Sequence, residues 1–155
     1  MDKNIEPQNL LYDIWEKHFA DVPRKNLVIA KFGKFSKQRL GSIKWSRDLR
    51  GVKSIYKKYK EDHEVQDDKR ITLIILTRYF TLPDVPDFLI KTTLAHEIVH
   101  YSHGFNSPLN QKYKYPHQGR IIEKELKNRG LGEELELSER WLKENWQRFV
   151  NSAKF

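Results

Sequence analysis

At 155 residues, with 38% hydrophobic and 32% charged residues, the chain has the size of one domain with a well-solvated surface, and it contains no run of about 18 apolar residues that would span a membrane. The absence of cysteine excludes disulfides, cysteine-based zinc ribbons and thiol nucleophiles, so any metal must be held by histidine and carboxylate. Lys and Arg number 29 against 21 Asp and Glu, a net +8 that favours anionic partners such as nucleic acid.

The polar start M-D-K-N-I-E-P-Q-N-L lacks the apolar core of a secretory signal, so residence in the cytoplasm is expected. Leu10, Leu11, Ile14, Trp15, His18 and Phe19 recur at helical spacing and predict a first helix over 7–20, with His18 as a satisfied core or boundary residue. Residues 27–32 alternate as a strand, and Lys34 to Trp45 reads as a turn followed by a second strand over 41–45, an economical antiparallel pair. Ser46 to Lys69 interleaves Arg47, Arg50, Lys53, Lys57, Lys58 and Lys60 with Tyr56 and Tyr59. Such a segment can hold a phosphate backbone and stack bases, or it is a solvated hairpin or short helix ending in a polar turn with His63 exposed.

Arg70 to Leu76, R-I-T-L-I-I-L, is the strongest strand, and its place just before the next helix suits the rim of a cleft. After a Pro-containing connection, Thr92 to Gly104 reads T-T-L-A-H-E-I-V-H-Y-S-H-G. His96 and His100, four apart on a helix, lie about one turn from each other and can reach one cation. Glu97 between them can accept a proton from a water activated by that cation, the H-E-x-x-H device of zinc peptidases. Leu94, Ala95, Ile98 and Val99 give the segment an apolar face, and Gly104 supplies a stop. A helix follows near 121–130, and a last one is expected over 138–153, capped by Ser138, with Trp141, Leu142, Trp146, Phe149 and Val150 packing back on the domain. The fold class is therefore α+β over one domain, 1–155, with a short, mainly antiparallel sheet of about three strands.

A catalytic zinc needs three protein ligands and an open position. His103 lies two turns from His96, too far to share the ion, so a supporting or surface role is expected. Asn106 stands where H-E-x-x-H-x-x-G-x-x-H requires its last histidine, which disfavours that class. His117 and Glu123 remain, with His117, fixed after Pro116 at the head of a helix, preferred. Tyr113 or Tyr115 would be placed to donate to an oxyanion. The 46–69 segment or the C-terminal helix would be placed to cover the site.

The R-L-G-S turn, the I-T-L strand, A-H-E-I-V-H and the later H-x-G at a helix head together resemble the SprT-like (Spartan-type) metallopeptidase domain, over roughly Leu10 to Gly130. The resemblance implies a small zincin-like fold and one Zn2+ on His96, His100 and His117. It also implies Glu97 as general base, protein or peptide substrates, and recruitment to DNA-associated proteins. Gln118 intervenes before Gly119, where the family has glycine directly after histidine, and the Cys-rich ribbon that many members carry has no counterpart. A second reading is a nucleic-acid-binding module, taking single-stranded DNA, in which the metal is structural or vestigial.

Overall fold

The computed structural model describes residues 5–63 and 70–153. Its three strands are β1 (Val28–Phe32), β2 (Gly41–Ser46) and β3 (Ile71–Leu76), in the order β1-β3-β2. β3 is almost wholly apolar and buried on both faces, the pattern of a central strand, whereas every residue of β2 is at least partly exposed, as suits an edge. β1 runs parallel to β3 (Val28 opposite Thr72) and β2 antiparallel to it (Gly41 opposite Leu76). The fold is α+β as expected, but the sheet is mixed. The expected antiparallel pair of first and second strands does not form, because β3 gains more by burying both faces between them. For the same reason the cleft rim belongs to β2 and not to β3.

Helix α1 (Pro7–His18) starts with proline at its first position, where no backbone donor is needed, and buries Leu11, Ile14 and Trp15. Together with α3 (Asp87–Ser102) it covers one face of the sheet, packing on Val28, Ala30 and Ile74. Each fully buried Leu or Ile there is worth roughly 1.5–3 kcal/mol. Helix α2 (Lys53–Asp62), read from sequence only as a hairpin or short helix, covers the other face, with Tyr56 packed among Leu27, Ile29, Ile71 and Leu73. His63 is exposed, as expected, and the rest of the polar turn after it, 64–69, lies outside the described residues.

Helix α4 (Ile121–Asn128) ends at Gly130, φ +84°, where Leu131 N donates to Leu126 O (2.9 Å) and Gly130 N to Lys127 O (3.2 Å). The chain re-enters a helix at once: α5 (Gly132–Trp141) continues through a wider turn at Leu142–Trp146 into α6 (Gln147–Ser152). The final helical run thus starts at Gly132, where Glu133 and Glu134 suit the positive end of the helix dipole. Ser138 is not a cap. It lies within α5, its hydroxyl donating to Glu134 O (2.8 Å), close to Phe88 O (3.1 Å) and 2.7 Å from Thr92 Oγ1. Trp141, Trp146 and Phe149 pack back on the domain, as expected, against Phe80 and its neighbours. Trp146 Nε1 also donates to Lys37 O (2.8 Å), which holds the loop leading into β2. Among the described residues no helix is long and apolar enough to cross a membrane.

Candidate metal centre and cleft

Helix α3 is fixed by its buried side: Leu94, Ala95, Ile98 and Val99 have no exposed surface. That anchoring directs His96, Glu97 and His100 into a cleft beneath β2. The helix stops where the sequence suggested, with Gly104 at φ +84°, Phe105 N donating to His100 O and Gly104 N to Tyr101 O, both 3.0 Å. The residue after the glycine then closes back on the helix, and the Phe105 ring stands edge-on to His100, with centroids 6.1 Å apart. The helix stop thereby also orients an imidazole.

His117 reaches the same point from the loop before α4. Its geometry comes from two consecutive left-handed residues, Gly119 (φ 60°) and Arg120 (φ 56°), and from Gln118, whose Oε1 accepts Tyr115 N–H at 3.0 Å. Gln118 thus pins the loop. The Nε2 atoms lie 3.1 Å (His96 to His100), 3.2 Å (His96 to His117) and 3.0 Å (His100 to His117) apart. Burial, then the neighbouring histidine, pushes His96 down to about 4, and burial and the other histidines push His100 down to about 3, so both rings are neutral at pH 7. Three imidazoles that aim one nitrogen each at a common point cannot satisfy one another by hydrogen bonds. They fit a cation: ligands ~2.0–2.1 Å from a tetrahedral ion stand ~3.3 Å apart. His96, His100 and His117 are accordingly a group that could hold a metal.

Glu97 is 5% exposed, and its burial raises its carboxyl to about 7 against the opposing pull of Arg39. Room for it comes from Gly41, the first residue of β2. A Cβ there would stand 3.2 Å from Glu97 Oε1 and 3.0 Å from Thr93 Cγ2.

The cleft has two lobes that share Gly41, His96, Glu97 and His117. One of about 430 Å³ runs past Arg39 and Leu40 to α5, and one of about 260 Å³ runs past Ile43 to Phe105 and Asn106. The backbone of β2 along it has a defined polarity. Thr77 N donates to Leu40 O (2.8 Å), so by antiparallel alternation residues 40, 42 and 44 turn their backbone groups to β3, and Gly41 and Ile43 turn theirs outward. Asn106 Nδ2 donates to Ile43 O from that open side (3.2 Å).

Of the sequence candidates, His96, Glu97, His100 and His117 converge. Glu123 is not among the converging ligand atoms. His103 is neither ligand nor surface residue: it is 1% exposed, with Nε2 2.7 Å from Glu125 Oε1. Tyr113 packs its ring on His103 (4.9 Å) and Tyr115 is 59% exposed, and neither lines the cleft. The C-terminal helical run borders the cleft through Leu135 and Leu142, whereas α2 lies across the sheet from it. Sequence reasoning missed the roles of Arg39 and Gly41, whose signal was the R-L-G-S turn. No protein family model, curated protein or solved structure matches the chain.

Proposed function

We propose that the chain is a zinc-dependent endopeptidase, with one Zn2+ held by His96, His100 and His117 and with Glu97 as general base. The observation that carries this reading is the convergence of three imidazoles beside a buried carboxylate under an open strand edge. When bound, zinc supplies Lewis-acid polarisation of a carbonyl and brings the pKa of water to near neutrality. Glu97, raised to about 7, is matched to take a proton from water in the cleft and hand it to the leaving amine. The outward backbone groups of Gly41, with the N–H of Ile43, bind an extended peptide as an added strand and lay its scissile bond over the histidines. Cleavage of DNA-associated proteins is the extension that the SprT-like resemblance suggests.

The test is metal content together with hydrolysis. Purified protein should carry or take up about one zinc per chain and cut an unfolded protein in a chelator-sensitive manner. Failure to take up zinc would remove the proposal. In the rival nucleic-acid module, rings would be presented to bases, but Tyr56 is only 8% exposed, Trp45 is covered by Arg70 at 3.9 Å, and the half-buried Tyr59 is stacked on His63 (4.2 Å), so this reading gains little support from its own segment.

A further inference from the structure

The larger lobe of the cleft has a chemistry of its own. Its lining includes five leucines: Leu89 and Leu126, each 1% exposed, and the half-buried Leu40, Leu135 and Leu142. Its inner hydroxyls are already occupied within the fold. Thr93 Oγ1 donates to Leu89 O (2.7 Å), and Thr92 Oγ1 and Ser138 Oγ, 2.7 Å apart, are further bonded to Leu89 O (3.3 Å) and Glu134 O (2.8 Å). These groups have little left to offer a polar guest. Apart from His96, Glu97 and His117, which it shares with the smaller lobe, its charged or long polar residues, Gln38, Arg39 and Glu139, are exposed and stand at the rim. A cavity of about 430 Å³ admits the largest side chains.

Position along β2 assigns the pocket to one side of the substrate bond. The lobe lies at the start of β2, by Gln38 to Gly41, and the smaller lobe further along, by Ser42 and Ile43. A peptide added antiparallel to β2, the commoner strand pairing, runs the other way, so its C-terminal part crosses the larger lobe. Building on the peptidase reading, we infer that this lobe is a specificity pocket that takes a bulky apolar side chain, Leu or Phe, from the residue immediately after the scissile bond.

The test uses the full, zinc-loaded chain and peptides of one sequence with Phe, Leu, Ala, Asp or Lys after the scissile bond. Matched peptides in which a reduced amide replaces that bond serve for binding by fluorescence anisotropy. Phe or Leu should exceed Asp or Lys by at least about tenfold in both kcat/KM and affinity, a pocket-filling difference of ordinary size. Leu135→Trp, which narrows the pocket from its half-buried wall, should lower the Phe to Ala ratio by about fivefold or more in both readouts, with zinc content as the folding control. Hydrolysis without this preference, or with the preference on the residue before the bond, overturns the pocket assignment and leaves the peptidase reading standing. Selective binding of the analogues with no hydrolysis of any peptide keeps the pocket and removes the peptidase reading. Absence of both removes both.

Discussion

His103 and Glu125 join the end of α3 to α4 through a 2.7 Å contact between Nε2 and Oε1. Glu125 Oε2 accepts Arg129 Nε (3.1 Å), and Arg129 continues to His18 O (2.8 Å) and Asp21 Oδ1 (2.6 Å) at the end of α1. One polar chain therefore ties together three helix ends next to His100 and the loop that carries His117.

The pH response of this chain has a definite sign. Burial pushes the Glu125 carboxyl up, but hydrogen bonds from His103 and Arg129 outweigh burial and hold it below its ordinary 4.5. A carboxyl depressed in the folded state stabilises the fold above its unfolded pKa, and the contribution is lost as pH falls through the folded one. Glu125→Gln should cost about 1–2 kcal/mol at pH 7 and make urea midpoints less sensitive to acid below about pH 4.5. Equal steepness in wild type and variant would exclude the linkage.

Glu97→Gln separates ligand binding from chemistry. The variant should keep its zinc, since Glu97 is not among the three converging ligands, and lose hydrolysis by about 10²-fold or more. In metal-free protein the same change should be stabilising at high pH. Burial raises Glu97 from 4.5 to about 7, so the neutral form favours the fold and that stability is lost as pH rises from 4.5 through 7. Gln never ionises, so above pH 8 the metal-free variant should be more stable by about 3 kcal/mol, with little difference at pH 4. Thermal melts of chelated protein at the two pH values decide this.

The third ligand is tested by paired substitutions. His117→Ala should abolish stoichiometric zinc, and Glu123→Ala should retain it, because only His117 brings a nitrogen within 3.2 Å of the other two. Loss of zinc in Glu123→Ala with retention in His117→Ala would reverse the assignment.

Single-stranded DNA binding, if present, should rest on charge alone. On α2, Lys53, Lys57, Lys58 and Lys60 are exposed, while Tyr56 packs into the core beneath them. Paired lysine-to-alanine changes should flatten the salt dependence of binding. Tyr56→Ala should instead lower stability by about 3–5 kcal/mol, as loss of a large buried ring does. A fall in DNA affinity at unchanged stability in Tyr56→Ala would show that the ring serves bases.

What could be read from the sequence follows the distance over which each feature is encoded. His96, Glu97 and His100 lie within one helical turn, so spacing alone places them together. The strand at 71–76 was readable as a strand, but its central place depends on burial of both faces, which no local pattern distinguishes from a rim position. Ser138 looked like a cap because serine heads an amphipathic run. Its partners are Glu134 within its own helix and Thr92 and Phe88 of a different one. Similarly, basic residues among tyrosines have one appearance in sequence whether the rings face solvent or the sheet. Gly41 was readable as the start of a strand but not as the residue that makes room for Glu97, because Glu97 is remote in the chain.

That neighbour makes Gly41 a sensitive probe of the cleft. Its backbone is not in the left-handed region, so alanine is tolerated conformationally, and the loss of unfolded-state freedom favours the variant by about 0.4–1 kcal/mol. Against this, a methyl group 3.0 Å from Thr93 Cγ2 and 3.2 Å from Glu97 Oε1 forces the helix or the carboxylate aside, a packing cost of about 1–3 kcal/mol. Stability should therefore fall by about 1 kcal/mol in Gly41→Ala. The chemistry should change more, because displacement of a general base by a fraction of an ångström to an ångström costs up to about 10²-fold. Gly41→Ala should lower kcat by about tenfold or more with zinc content unaltered, and the bulkier Gly41→Val should lower it further. Wild-type kcat in Gly41→Ala would mean that Glu97 tolerates displacement, and its assignment as the positioned base would have to be withdrawn.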